Sequence, residues 1–220
     1  MSSSESTQLG QWDDIRRLEG WAGEIRLNLV RLLAIAVFYG RHLIEVIASP
    51  ADAPVRGAYH AQVTWLCLMW AGAAIVLHMW LARRHVPWWL KYASTVFDAV
   101  MITFLCALAG GPKTPLVLLY FPVIASAPLR LSLRLVYLAT ISAILGYLVV
   151  LGHYAWYVIG FSKYYSTPEL RIPRSQEAIY VLSMLVVGFL CGQVVRQMRR
   201  MVAGYAVRVV SQPLSPTSGT

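Results

Sequence analysis

Long runs of apolar residues alternate with short polar connections along almost the whole chain. A bilayer core of about 30 Å requires about 20 helical residues, because in lipid only intrahelical hydrogen bonds satisfy the backbone. Six stretches approach that requirement, and they predict an all-α polytopic membrane protein. We place the six transmembrane helices at Leu27 to Ala48, Val63 to Ala82, Tyr92 to Ala109, Leu116 to Leu129, Leu135 to Tyr157 and Ala178 to Val195.

The first stretch is the least apolar of the six, because Arg31 and Arg41 divide it. Each arginine can extend its head group toward its own membrane surface, so a spanning helix needs no charge at the bilayer centre. The alternative is a helix that its neighbours shield from lipid. We therefore keep six transmembrane helices rather than five.

The composition excludes several classes of protein. Hydrophobic residues make up 58% of the 220 residues and charged residues only 13%, whereas globular proteins carry about 25% charged residues. A disordered chain, a nucleic-acid-binding arm and an ordinary cytosolic enzyme are excluded. We expect the lipid bilayer as a partner and no nucleic acid, because most basic residues behind the net charge of +9 flank apolar runs.

The distribution of lysine and arginine predicts the orientation in the membrane. If the N-terminus is cytoplasmic, most basic residues fall in the cytoplasmic connections, as the positive-inside rule requires. Tryptophan and tyrosine side chains cluster near the predicted ends of the helices, where aromatic belts form. We therefore predict a multi-pass protein with both termini in the cytoplasm.

Residues 1–26 precede the first transmembrane stretch and have a periodic pattern of their own. Apolar residues recur there every three or four positions beside charged ones, at Trp12, Ile15, Leu18, Trp21, Ala22 and Ile25. The pattern predicts a cytoplasmic segment with an amphipathic helix that lies on the membrane surface. The alternative is an early extension of the first transmembrane helix. We assign residues 27–195 to the six-helix membrane domain.

The last transmembrane helix carries two features that predict helix pairing. Gly188 and Gly192 form a GxxxG motif, whose small surfaces let two helix backbones approach closely. Beyond it, residues spaced 3, 4, 3 and 4 apart form an apolar seam at Val195, Met198, Val202, Tyr205 and Val209. We predict a homodimer in which a coiled-coil-like stub, residues 196–210, leads into the cytoplasm. The alternative is an amphipathic tail on anionic lipid. Residues 211–220 have the composition of a disordered tail.

Ionisable residues inside the membrane are costly and therefore functional candidates. Asp98 on the third helix lies at a depth similar to that of Arg31 on the first. We predict a buried ion pair that orients these helices, with a proton-linked or ligand-linked switch as the alternative. Near the outer surface, Arg41 and Glu45 are one turn apart and predict a local ion pair. They could instead line an outward-facing site.

No residue pattern points to catalysis or to a bound metal. Walker, GxSxG and HExxH motifs are absent, so we predict no enzymatic activity. Cys67, Cys106 and Cys191 lie in apolar runs without the spacing of metal ligands. Only His42 and His153 could share an axial site, and histidines regularly spaced on two helices are lacking. We predict neither a metal nor haem.

The stretch from Phe97 to Leu131 resembles the membrane sensor regions of bacterial histidine kinases of the RegB and PilS kinds, and related regions linked to nucleotide cyclases. That group commonly has an Asp in the third of six helices, then a Gly-Gly-x-x-(Ser/Asn)-Pro turn and an apolar helix. Asp98, Gly110, Gly111 and Pro115 match this pattern. The resemblance implies a six-helix input module in the bacterial cytoplasmic (inner) membrane.

The turn departs from the family pattern at two positions. Thr114 stands where the family usually has Ser or Asn, and Leu116 stands where RegB-type proteins have Phe. In RegB-type proteins the turn is associated with quinone sensing, so the resemblance implies a quinone ligand. The departures at Thr114 and Leu116 weigh against it. We predict no cofactor. The resemblance implies that the signal acts on Asp98, Gly110, Gly111, Thr114 and Pro115.

The resemblance also implies an output that this sequence does not contain. Kinase or cyclase domains follow the last helix in that group, whereas here the seam ends in the polar tail. We therefore predict a sensory or signal-transducing module that acts through a separate or missing kinase or cyclase partner. The alternative is a non-catalytic membrane subunit or scaffold. A small transporter is less favoured, because the sequence shows no internal repeat.

Overall fold

A computed structural model describes residues 3–49, 57–83, 87, 89–158, 160 and 173–211. Within these residues the chain forms helices and turns and no strand. The six principal helices are α1 (Ser3–Ala48), α2 (Ala58–Ala82), α3 (Leu90–Leu108), α4 (Tyr120–Ser126), α5 (Leu133–His153) and α6 (Arg174–Ser211). A π-helical turn, Tyr154–Val158, continues α5. The predicted disordered tail lies outside the described residues beyond Ser211.

The first helix is longer than predicted. It runs through residue 26 without interruption, which is the geometry of the alternative in which the first transmembrane helix extends toward the N-terminus. The indole Nε1 of Trp21 donates a 2.6 Å hydrogen bond to the carbonyl of Leu81 at the end of α2. Trp21 and Ile25 also pack against Leu77, Leu81 and Leu90. This part of α1 is thus bound to the helix bundle.

Replacing Trp21 with Phe should test this attachment. Phenylalanine keeps most of the ring packing and removes the hydrogen bond to Leu81, so we expect a loss of about 1 kcal/mol in the free energy of unfolding. Unfolding of the purified protein in mixed micelles measures the change. Trp65→Phe on the exposed face of α2 is the matched control. An equal effect of both substitutions would contradict the attachment.

The fourth membrane segment, Pro115–Arg130, is a chain of short helical pieces rather than one helix. A 3-10 helix (Pro115–Leu119) leads into α4, and a second one (Ala127–Arg130) follows it. Pro115 and Pro128 stand in the first turns of these two pieces. Proline lacks an amide donor and clashes with the preceding turn, so it interrupts a regular α-helix. We call this stretch the fourth segment.

The helices differ in how well they suit a membrane. By length and composition, α2, α3, Leu133–Val158 and Ser175–Val202 are able to span one. The fourth segment is apolar but shorter, and α1 is not among the candidates. The two elements that fall short are the one that prolines break into short pieces and the one that Arg31 and Arg41 divide.

The core lies where α5 packs against α3, the fourth segment and α6. Gly146 of α5 allows a close approach of its neighbours, because a Cβ there would lie 2.6 Å from Oγ1 of Thr103 and 2.8 Å from the hydroxyl of Tyr120. Those two oxygens are 2.8 Å apart and share a hydrogen bond. The surrounding buried cluster comprises Ile102, Cys106, Val117, Tyr120, Ile124, Ala143, Tyr147, Val150 and Met184.

Candidate functional site: a buried polar cluster

Arg31 of α1 and Asp98 of α3 form a two-pronged ion pair inside the bundle. The Nε of Arg31 donates to Oδ1 of Asp98 at 2.7 Å, and Nη2 donates to Oδ2 at 2.5 Å. The two side chains are only 9% and 16% exposed. The planar guanidinium matches the carboxylate in this arrangement, so the pair fixes the orientation of both helices as well as their distance.

Two further residues complete the hydrogen bonds of this pair. The indole Nε1 of Trp70 on α2 donates to Oδ1 of Asp98 at 3.1 Å. The fully buried Asn28 accepts from Nη1 of Arg31 at 2.8 Å and donates to the carbonyl of Ala74 at 2.9 Å. Because a buried ion pair is tolerated only when its remaining polar atoms are satisfied, these contacts make the pair possible.

A second ion pair lies beside the first. Nη2 of Arg130, the last residue of the fourth segment, lies 2.8 Å from Oε2 of Glu24 on α1, and both side chains are at most 10% exposed. Arg130 also donates to the carbonyl of Lys91 and to the hydroxyls of Ser94 and Thr95 at the start of α3. Glu24 precedes the predicted transmembrane part of α1. Burial raises the pKa of its carboxyl, and the charge of Arg130 opposes that rise.

The two ion pairs form one unit, which we call the buried polar cluster: Glu24, Asn28, Arg31, Trp70, Asp98 and Arg130. Its two carboxylates balance its two arginines, so it adds no net charge to the bundle. It joins α1, α2, α3 and the fourth segment. Loss of one charge would leave the opposite charge buried and unpaired, so removal of one partner destabilises the packing of these elements.

The cluster is connected to α6 through the turn that follows Arg130. Leu131 has a φ of 48°, the left-handed conformation that non-glycine residues rarely adopt. Its amide donates to the carbonyl of Pro128 at 2.8 Å. Its own carbonyl accepts from Nε and Nη2 of Arg199 on α6, at 3.1 and 2.8 Å. A shift of Arg130 would therefore displace Leu131, and through its hydrogen bonds to Arg199 the displacement would reach α6.

Arg31 also lies between two cavities. One, of about 100 Å³, opens between α1, α3 and the fourth segment, and Arg31, Asp98 and Arg130 line it together. The other, of about 390 Å³, opens between α2 and α3 and is lined mainly by apolar residues beside Arg31 and Ser94. The cluster is thus bordered by a cavity on each of two sides.

The glycine-rich turn lies at the opposite end of α3 from the cluster. Asp98 and Gly110 are separated by about 18 Å along the chain at the helical rise of about 1.5 Å per residue. Gly110 and Gly111 have φ values of 101° and 75°, which favour glycine, and a Cβ on Gly111 would overlap the ring of Tyr154. Thr114 accepts from the amide of Leu116 at 3.4 Å and begins the fourth segment with Pro115. The structure thus separates the predicted sensing residues into two places.

The predicted ion pair between Arg41 and Glu45 is not formed. Within the described part of the chain, the ion pairs are those of the buried polar cluster. Both side chains are exposed on the surface of α1, where solvation and side-chain entropy compete with pairing.

His42 pairs with a histidine that the sequence did not single out. Its Nε2 lies 3.1 Å from Nδ1 of His60, and the two rings stack. His153 instead stacks on Tyr157. His60 is available to His42 because α2 begins at Ala58, before the predicted start at Val63. His60 therefore lies on the helix that packs beside α1.

Two of the predicted dimer residues face the interior of their own chain. A Cβ on Gly188 would overlap Thr140 of α5, and Val195 is fully buried against α5 and the fourth segment. A Cβ on Gly192 would meet nothing within 4 Å. Met198 and Val202 are exposed, and the side chains of Tyr205 and Val209 lie outside the described part. Gly188 and Val195 therefore pack α6 onto its own bundle, and they are not available to a second chain.

Metal-binding groups do not gather anywhere in the described part of the chain. No set of three or more His, Cys, Asp or Glu side chains is placed there to hold an ion. Cys67 and Cys106 are buried and Cys191 is partly buried, all three as free thiols. The carboxylates that a cation would need in the interior are already paired with arginines.

These features define an all-α polytopic membrane protein whose bundle is held by a buried polar cluster. The chain belongs to the family described as the PilS-like six-transmembrane domain, whose family model matches residues 13–214. The match begins within the N-terminal part of α1 and includes the whole of α6. The comparisons with curated proteins and with solved structures find no match.

The sequence pattern did not predict four members of the cluster. Trp70 and Asn28 lie within predicted transmembrane helices, where the sequence pattern gives no sign of a polar contact. Which groups they bond to is decided by how the helices pack. Glu24 and Arg130 were counted with the polar N-terminal segment and the cytoplasmic loops. The available signal was that Glu24, Asn28 and Arg31 are spaced 4 and 3 apart, which places three polar side chains on one face of α1.

Proposed function

We propose that the chain is a signal-transducing input module of the bacterial cytoplasmic membrane, with both termini in the cytoplasm. A cue in or near the membrane changes the packing of the buried polar cluster, and α6 carries the change to a kinase or cyclase output. The proposal assigns no catalytic step to the chain itself. Membership in the PilS-like family supports it, because the sensor regions that the sequence resembles are of this kind.

The observation that carries the proposal is the continuous path from the cluster to α6. Arg130 belongs to the cluster, Leu131 follows it in a strained conformation, and Arg199 holds the carbonyl of Leu131. Since α6 continues as one helix to Ser211, a displacement at Arg199 reaches residues beyond the bundle. A cue must bind or stabilise two arrangements of the cluster differently, or no shift follows.

A homodimer remains part of the proposal, but with a reduced interface. Gly188 and Val195 are occupied within the chain, so the contact between two copies would begin at the exposed Met198 and Val202 and continue toward Val209. The coiled-coil spacing of these positions supports this, and a pair of helices would transmit rotation or sliding of α6. Gly188 of the glycine motif would then serve the bundle and not the dimer.

A chimera tests the proposal. A histidine kinase output fused in register after Ser211 reports the state of α6 as phosphorylation of its response regulator in membranes. We expect Asp98→Asn, and the double substitution Arg31→Met/Asp98→Leu, to change basal output at least about fivefold, the lower range of allosteric coupling. Arg41→Met, which alters a charge outside the cluster, should leave output unchanged.

All variants are compared at equal amounts of chimera in the membrane. Unchanged output in both cluster variants would contradict the signalling role of the cluster. Such a result would favour the membrane-subunit alternative, in which the tail recruits a partner whatever the state of the bundle.

A further inference from the structure

The small cavity beside the cluster opens toward the surrounding lipid. Val30, 58% exposed, and the exposed Pro122 form part of its wall. Ala34, Phe38 and Ile102 also line it. In a membrane protein this exposed apolar surface faces acyl chains and not water. Bilayer lipid is therefore the molecule present at the mouth of the cavity.

Arg130 supplies a hydrogen-bond donor that nothing in the described chain uses. Its side chain lines the cavity and is only 7% exposed. Both Nη atoms have acceptors, whereas Nε is buried and has no acceptor among the described residues. Buried donors in native proteins almost always have a partner. A ligand oxygen in the cavity would satisfy this one.

Charge and size restrict what that ligand is. Arg31 and Arg130 are each already paired with a carboxylate, so the site offers one N–H and no surplus positive charge. This favours a neutral acceptor over a phosphate or a free carboxylate. A cavity of about 100 Å³ is smaller than the roughly 150 Å³ that holds one benzene molecule. It therefore has room for a short apolar segment, the rest of which stays in the bilayer.

The depth of Arg130 agrees with one common group of this kind. It ends the fourth segment, beside the start of α3 and next to Glu24, which precedes the transmembrane part of α1. That is the level at which the polar interface meets the hydrocarbon core, where the ester carbonyls of phospholipids lie. We propose that the cavity binds the ester end of one acyl chain of a bilayer phospholipid, whose carbonyl accepts from Nε of Arg130. This lipid site goes beyond the signalling role and does not depend on it.

Native mass spectrometry of the full chain in mild detergent tests the proposal. The probes are dioleoyl phosphatidylethanolamine and its ether-linked analogue, which has the same chains and head group but no carbonyl. We expect one tightly held ester lipid per chain and at least about tenfold weaker retention of the ether lipid, the effect of one hydrogen bond from a charged donor. Equal retention of the two lipids by the wild-type chain would overturn the contact with Arg130.

Two alanines of α1 provide a matched pair of variants. Ala34→Phe fills the cavity, whereas Ala36→Phe adds the same ring to an exposed position of the same helix. We expect Ala34→Phe to lose the lipid at least about tenfold and Ala36→Phe to keep it. Equal retention by both variants, or a retained molecule whose mass is not that of a phospholipid, would overturn the proposal. The ester and ether comparison uses the wild-type chain and so remains decisive if Ala34→Phe fails to fold.

Discussion

Arg31→Met and Asp98→Leu should each lower the free energy of unfolding by about 3–5 kcal/mol, because each leaves the opposite charge buried without its partner. The double substitution should recover at least half of that loss, since replacing both charges by apolar groups removes the unpaired charge. Unfolding in mixed micelles measures all three variants. Arg41→Met, which removes an exposed arginine outside the cluster, should change the free energy by less than about 0.5 kcal/mol.

The full cycle of four proteins distinguishes an ion pair from two independent polar residues. A coupling energy near zero between Arg31 and Asp98 would contradict the bidentate geometry. We do not expect complete recovery in the double variant, because Oδ1 of Asn28 then loses its donor and the indole N–H of Trp70 loses its acceptor. Replacing Trp70 with Phe in the double variant should recover part of the remainder.

Gly188→Ala should lower the free energy of unfolding by about 1–3 kcal/mol, the usual effect of overpacking. The new Cβ would overlap Thr140, and α6 would have to move away from α5. Gly192→Ala, one turn further on, meets nothing within 4 Å and should be neutral or stabilising, because alanine favours the helix. Unfolding of both variants in mixed micelles gives the comparison.

The same pair separates packing within the chain from dimer formation. Thr140→Ala removes most of the atoms that the new Cβ would meet, so it should restore part of the stability lost in Gly188→Ala. No restoration, together with an equal loss of cross-linked dimer in both glycine variants, would contradict the assignment of Gly188 to the bundle. It would support the GxxxG interpretation that the sequence favoured.

The ends and the kinds of helices were only partly predictable. Apolar length identifies α2, α3, α5 and α6, because hydrophobic runs of this size have few alternatives in a membrane. It fails for the fourth segment, where a uniform apolar run conceals prolines that break it into pieces. It also places the start of α2 too late, since His60 and Gln62 make the stretch from Ala58 to Gln62 resemble a loop although it forms the first turns of the helix.

Depth along the helix was enough to place Arg31 beside Asp98, but it was not enough for the rest of the cluster. Depth gives the position of a residue along the membrane normal only. A contact also requires that the faces of the two helices that carry the residues are turned toward each other. Arg130 shows the consequence, because its position at a segment end suggests a solvated charge, whereas the bundle buries it against Glu24. The GxxxG motif fails for a related reason: its small surface fits any helix, and α5 of the same chain packs against Gly188.

Insertion of alanines into α6 between Val202 and Ala203 of the kinase chimera tests the central claim most directly. Each inserted residue turns the output by about 100° relative to the bundle, and seven residues nearly restore the original direction. If α6 transmits the state of the cluster, kinase output should oscillate with the number of inserted residues and return near its original level at seven. Output that does not depend on the length of the insertion would contradict transmission through α6.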